Sequence, residues 1–523
     1  MKLAPLTVLV LLFIAQFALY EYMAVVPERS APADKVYNRI SGYDSVYVSW
    51  MRQSALGSWS IRDQRTTAAI PGVFIYPLFI FLGKLAGVLH VDVEYVYFLS
   101  KVIGGVLAFI AVYAFIADFF PRAHRNLALI LVLGIEMGPW WYKEASIFGL
   151  GIVLRHFGVA HHTIGEAAGL VFLLLYYRNL YDSRLSRMVW MFILGVFATS
   201  ILLPFMVQLW ITTAVVFGGI ALYRHLTKSY LVTTALAGLS VGIPALFYKY
   251  EFSLGAPWNN SAGAESVFYA TRDVVIRYLG SLAYYVPFFI AALIFLPKIW
   301  GGLSRKLQDV TILSITGVCM PFFLLAILPM VPLPIANFRF IDAYIPVYPG
   351  IVATVALAAL RRRVGKLTVV ITVLVLLASG YTTVRFTRAT TQDREKQWVN
   401  TYVPVPVWQA VQFLHTVPVN SGVLALEHFG DVIADHTPVR VYVGMNPVYA
   451  DFWQRVVLAR QFYSGSLPQA AAQDFLHGND ISYIFYGPLE QLETKVSPLY
   501  PDLLSVIFQN DQATVYKVIP PVR

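Results

Sequence analysis

Charge is scarce in this chain. Of its 523 residues, 13% are charged and 58% hydrophobic, with a mean hydropathy of +0.63. A soluble domain carries roughly a quarter charged residues, so the composition excludes a water-soluble globule and marks an integral membrane protein. Cysteine is nearly absent. Cys319 stands alone inside an apolar run, which excludes an intramolecular disulfide whichever compartment the loops face. Internal repeats and low-complexity tracts are missing, and ionisable residues do not gather at mid-span, which weighs against a transporter or flippase. Acids are outnumbered, 29 against 39 Lys and Arg, for a net charge of +10. Nucleic acid does not explain the excess, because most of the bases sit in short loops between apolar segments, as the positive-inside rule requires.

Apolar segments of spanning length are abundant, near 4–23, 97–118, 126–141, 164–179, 188–203, 205–223, 230–248, 279–297, 308–330, 341–360 and 367–384. Each approaches the ~20 residues that a bilayer core demands. The stretch "IPGVFIYPLFIFLGKLAGVL" (70–89) is also apolar, but Pro71, Gly72, Pro77, Gly83 and Lys84 interrupt it. The basic loops at 121–125, 178–187, 224–228, 298–306 and 361–366 share one side of the membrane if 70–89 does not cross. The predicted fold is therefore a polytopic α-helical membrane protein of about eleven transmembrane helices, with 70–89 lying along the outer surface or dipping in and returning. Residues 3–20 are read as an uncleaved anchor whose Lys2 end is interior. The loops at 24–96, 142–163, 249–278 and 331–340 are then outside.

The tail differs in kind. Strand-like runs "GVLAL" (422–426), "RVYVG" (440–444), "SYIFYG" (482–487), "LSVIFQ" (504–509) and "ATVYKVI" (513–519) alternate with amphipathic stretches at 406–415, 451–463 and 468–477. This predicts a transmembrane domain over 1–388, with juxtamembrane helices in the loop 24–96, and a soluble extracytoplasmic α/β domain over 389–523.

Several outer-loop groups are candidates for chemistry. In "ISGYDSVYVSWMRQSALGSW" (40–59), a helix would put Tyr43, Val46, Tyr47 and Trp50 on one face, suited to the lipid–water interface. Asp44 begins that helix, where free N–H groups favour a carboxylate. It can be an N-cap or a proton acceptor, and spacing alone favours the cap. Arg62 and Arg65 in "SIRDQRTT" (60–67) can fork onto a phosphate or form a solvated cluster with Asp63. The loop 141–167 holds Lys143, Glu144, Arg155, His156, His161, His162 and Glu166. The adjacent histidines are a weak metal signal, and phosphate contact or a structural role fits them better than zinc. Arg339 and Asp342 stand at headgroup level, where arginine pairs, snorkels or holds a lipid phosphate. In "LEHFGDVIADH" (426–436), Glu427, His428, Asp431, Asp435 and His436 read as a polar loop after a strand.

Together these pieces resemble the GT-C superfamily of membrane glycosyltransferases, which use polyprenyl-phosphate-linked sugars. The match rests on Asp44 with "QSALGSW" behind it, the proline-containing segment 70–89, and Arg339, Phe340, Pro346 and Pro349 in an Arg-aromatic motif with later prolines. "YIFYGPLE" (483–490) is similar to a run in bacterial members with strand-rich tails. The chain departs from the common pattern of paired acids, since Tyr43 and Ser45 flank Asp44.

The resemblance implies an inverting hexosyl- or pentosyltransferase in the bacterial cytoplasmic (inner) membrane. Asp44 would be the catalytic base, and Arg339, Arg62 and Arg155 would hold the donor phosphate. Glu144, Glu166, His161 and His162 are left as acid, acceptor or metal ligands, with a divalent cation the one cofactor kept open. Its partners would be a polyprenyl-phosphate-sugar donor, membrane lipids, and a glycan, lipid or protein acceptor. The alternatives are a lipid-linked oligosaccharide polymerase or ligase, a transporter or flippase, or a scaffold.

Overall fold

The computed structural model describes residues 4–40, 43–135, 157–255, 258–260, 271–327, 339, 347–396, 401–444, 451–495 and 499–520. Its main helices and strands follow the chain as α1 (Pro5–Arg29), β1 (Lys35–Tyr37), α2 (Tyr43–Ala55), α3 (Pro77–Leu89), α4 (Val93–Phe119) and α5 (Arg122–Leu133). Next come α6 (Ala160–Tyr181), α7 (Leu185–Ile201), α8 (Leu203–Tyr223), α9 (Thr227–Ser253) and α10 (Thr271–Ser281). After them stand α11 (Val286–Ile299), α12 (Arg305–Ile327) and α13 (Val347–Lys396). The tail holds β2 (Tyr402–Pro404), α14 (Val405–Phe413), β3 (Gly422–Leu424), α15 (Glu427–His436), β4 (Arg440–Val441) and α16 (Phe452–Tyr463). It ends with α17 (Gln469–Gly478), β5 (Tyr483–Tyr486), α18 (Pro488–Glu493), β6 (Leu504–Gln509) and β7 (Thr514–Val518).

The chain forms two compact units. One comprises residues 1–23, 98–250 and 265–390, and the other 24–97, 251–264 and 391–523.

Among the described residues, seven helical stretches are long and apolar enough to cross a membrane: Pro5–Arg29, Val93–Phe119, Leu203–Tyr223, Thr227–Ser253, Ala283–Gly302, Arg305–Ile327 and Val369–Ala389. Shorter apolar helices cover Pro77–Leu89, Leu185–Ile201 and Val347–Leu360. The protein is a multi-pass membrane protein. Within the first unit, α7 and α8 part at Leu202, because Pro204 allows helix only after it and disfavours helical backbone just before. Gly169 sits against Phe205 and Gly195 against Ser240, so the helices approach at positions without side chains. Asp309, fully buried, accepts from Tyr177 at 3.1 Å and Tyr181 at 2.7 Å and pairs with Arg224 at 2.7 Å. That arrangement ties α6, the end of α8 and α12 together. One expectation changes here: the basic run 361–366, read as a loop between two spans, lies inside the continuous helix α13. Its arginines and lysine are strong helix formers, and the run contains no proline.

In the second unit, α3 is 13 residues long, about 20 Å at ~1.5 Å per residue and short of a ~30 Å bilayer core. The tail sheet has strand order β4-β3-β5-β7-β6, with β4, β3 and β5 parallel and β7 and β6 antiparallel. Val423, Phe485 and Val515 pack against α14 and α15 on one face, and Leu424 and Ile484 against α16 and α17 on the other. All five expected strands and the three expected tail helices are present. The two-stranded pair β1–β2 joins the first loop to the tail, with Lys35 opposite Pro404.

Candidate active site

Asp44 lies in the first turn of α2, and its Oδ1 accepts a hydrogen bond from the Tyr97 hydroxyl at 2.6 Å. Close helix contact fixes α2 on the other side. A Cβ on Gly83 would stand 2.2 Å from the Met51 carbonyl oxygen, and one on Gly87 2.7 Å from that of Ala55, so only glycine lets α3 lie this near. Two of the aromatics read as suited to the lipid–water interface, Tyr47 and Trp50, pack within the unit. Tyr47 stacks on Phe79 at 4.4 Å, and Trp50 stacks on Tyr76 at 5.5 Å and approaches Trp258 at 6.4 Å. Tyr76 holds a left-handed conformation, φ 49°, directly before Pro77. That conformation is costly for a bulky residue and is sustained only by such surrounding contacts.

A third face of α2, formed by Ser45, Ser49 and Arg52, meets a buried polar cluster. Arg65 is 4% exposed. Its Nε donates to Asp431 Oδ1 at 3.1 Å and its Nη2 to Ser45 Oγ at 2.9 Å and to Asp435 Oδ1. Its own backbone N–H donates to Asp63 at 3.0 Å. Ser49 donates to Gln64 at 2.6 Å, and Arg52 donates to the backbone oxygen of Asp435. The segment around Arg65 also covers the open edge of β4, whose Val441 N–H donates to the Gln64 carbonyl at 2.8 Å. Burial is the largest influence on Asp435 and pushes it up to about 8, with Arg65 pulling against it and Asp431 adding to it. Burial alone would lower Arg65, but Asp435, Asp431 and Asp63 together hold it above its ordinary value.

This cluster decides between two readings left open for Arg65 and corrects the expectation for 426–436. Arg65 is committed to carboxylates rather than available to a phosphate. The segment Glu427–His436 is a helix, not a polar loop, and its acids bind within the protein. Asp431 and Asp435 meet Arg65, Glu427 meets Arg460 at 2.9 Å, and His436 meets Asn38 at 2.9 Å and Glu94 at 3.3 Å.

In the other unit, His161 and His162 open α6 with ring centroids 4.4 Å apart, and Arg339 lies within electrostatic range of both. Glu166 is half-buried one turn further along. Lys101 is 3% exposed inside α4.

No family model and no curated protein matches the chain, but solved structures do. The archaeal oligosaccharyltransferase AglB from Archaeoglobus fulgidus, with an inhibitory peptide and a dolichol-phosphate, gives a TM-score of 0.55 at 14% identity over 92% of this chain and 69% of its own. The apo form of the A. fulgidus oligosaccharyltransferase gives 0.52 at 15% identity over 96% and 73%. ArnT from Cupriavidus metallidurans, bound to undecaprenyl phosphate, gives 0.50 at 15% identity over 97% of each chain. The chain has the GT-C fold.

Within this GT-C fold, Asp44 and Arg62 share one unit, where Arg62 is exposed and its backbone is held by Gln53 at 2.8 and 2.9 Å. His161, His162, Glu166 and Arg339 belong to the other. Glu144, Arg155 and Asp342 lie outside the described residues. Tyr97 and Lys101 were missed from sequence. A lone lysine inside an apolar run was the available signal for Lys101, whereas nothing local marks a tyrosine as the partner of a carboxylate 53 positions away. Among the described residues no group of three or more His, Cys, Asp or Glu could hold a metal ion.

Proposed function

We propose that this protein transfers a sugar from a polyprenyl-phosphate-linked donor to an acceptor hydroxyl on the outer face of a bacterial cytoplasmic membrane, with inversion and with Asp44 as the base. The observation that carries the reading is Asp44 itself: a carboxylate in the first turn of a juxtamembrane helix, oriented by Tyr97, in a fold whose solved relatives hold dolichol-phosphate and undecaprenyl phosphate. The Asp44 carboxylate takes the acceptor's proton as the acceptor oxygen bonds to the anomeric carbon. The bond from that carbon to the phosphate oxygen breaks, and the polyprenyl phosphate leaves with the electron pair. Arginine donors offset its charge, and Arg339, Arg62 and Arg155 are assigned to this role. The guanidinium near His161 and His162 favours a phosphate there and would repel a divalent cation, so the described donors do not fit a metal.

A second reading keeps the chemistry and enlarges the donor to a lipid-linked oligosaccharide, as the likeness to an oligosaccharyltransferase favours. The test is transfer in proteoliposomes from a panel of radiolabelled polyprenyl-monophosphate sugars and one lipid-linked oligosaccharide to a membrane-fraction acceptor. Asp44→Asn should lower transfer by about 10²–10⁴-fold, the span of general-base contributions. Undiminished transfer by that variant would remove Asp44 from the mechanism. Label moving only from the oligosaccharide donor would select the second reading.

A further inference from the structure

We infer that the tail helix α15 is a positioning element for Asp44, acting through Asp431 and Asp435, Arg65 and Ser45. The inference rests on the reading of Asp44 as the base and gives the C-terminal domain a part in that site.

The chain of contacts is short and buried. Asp431 and Asp435 are one turn apart on α15, so both carboxyl groups share a face. One guanidinium spans them: Nε reaches Asp431, and Nη2 reaches both Asp435 and Ser45. The Arg65 side chain is 3% exposed, as is that of Asp435, and Ser45 is 4% exposed. Ser45 is the residue after Asp44, in the first turn of α2. A second arm runs from Arg52, on the same face of α2, to the carbonyl of Asp435. The forked, planar guanidinium makes the link directional, and a flexible lysine could not satisfy all three acceptors.

The opposite end of the arrangement is equally tight. A Cβ on Gly444 would fall 2.8 Å from Asp431 Oδ1 and 2.9 Å from Arg65 Cγ, so the chain after β4 confines the pair. A Cβ on Gly430 would fall 2.1 Å from the Val443 carbonyl, so α15 itself is seated against that segment. Neither end of the bridge can slide independently. The face of α2 that bears Ser45 is thus referred to the tail sheet, and the direction of the Asp44 carboxylate is set from there together with Tyr97.

Hydrogen exchange on the full-length protein in nanodiscs tests this without any substrate. Asp435→Ala and Arg65→Gln sever the bridge, whereas Asp435→Asn keeps the acceptor oxygen. Peptides covering 43–49 should exchange at least tenfold faster in the two severing variants and at the wild-type rate in Asp435→Asn. Peptides covering β5 and β7 should stay protected throughout. Unchanged exchange at 43–49, or a parallel rise in all peptides, would overturn the inference. In the transfer assay, the severing variants should lose kcat with KM for the donor lipid unchanged, and Asp435→Asn should keep both. A rise in KM at constant kcat would also overturn it. Full transfer by Asp44→Asn would strike only the base assignment, because the exchange data decide the bridge independently.

Discussion

Glu490 shows how much one buried side chain can hold. It is fully buried, and its two oxygens accept separate backbone N–H groups, from Leu426 at 2.8 Å and from Gly487 at 3.0 Å. One bond starts its own helix, and the other pins the turn between β3 and α15. Glu490→Ala leaves two buried donors without an acceptor, at about 1–3 kcal/mol each, and should lower the stability of the tail by about 2–6 kcal/mol in a denaturant melt. Glu490→Gln keeps one acceptor and should cost about half as much. At Asp44 the relevant neighbour is Tyr97. Tyr97→Phe removes its hydroxyl, so kcat should drop about tenfold through lost orientation while the melting temperature stays near wild type. Equal loss of kcat and of melting temperature would make that tyrosine structural.

Helices α2 and α3 depend on the glycines between them. Gly83→Ala sets a methyl 2.2 Å from the Met51 carbonyl oxygen, and backbone must move to admit it. We expect a loss of about 1–3 kcal/mol, checked by thermal melting. Elements of this kind were legible in sequence where one period dominated: α2 from its aromatic spacing, and the tail strands from apolar runs bounded by turn residues. Helix α15 was not. Phe429, Val432, Ile433 and His436 carry a helical spacing, but five ionisable residues in one short segment after a strand read as a polar loop. Gly430 is present because Val443 lies against it, and that is invisible without the fold. The same limit hid Arg65. Its role depends on acids that fold next to it from 366 and 370 residues downstream, and local charge alone left a phosphate site and a solvated cluster both open. Asp44 was legible as the head of a helix, whereas its partner Tyr97 was not.

Across the tail-bearing unit, two carboxyl groups set a common pH response. Burial raises Asp435 to about 8 and Glu490 to about 7, both above the ~4 of an unfolded chain. The folded state therefore binds more protons between those values, and their contribution is lost as pH rises from about 4 through 8. Burial lowers His415, whose contribution runs the other way and is lost as pH falls below ~6.5. The double variant Asp435→Asn and Glu490→Gln stays neutral at both positions. Its melting temperature should fall less between pH 5 and 8 than that of the wild type, and an identical slope would contradict the assignment. The pairing of Lys35–Tyr37 with Tyr402–Pro404 carries a temporal consequence. A ribosome makes the first strand long before the second, and the acids that complement Arg65 emerge later still. Throughout synthesis the head of the molecule waits on its last quarter, so a prematurely terminated polypeptide would bear α2 without its brace from α15. Such a fragment would carry the Tyr97 and α3 residues that meet α2 but none of the acids that meet its Ser45 face through Arg65.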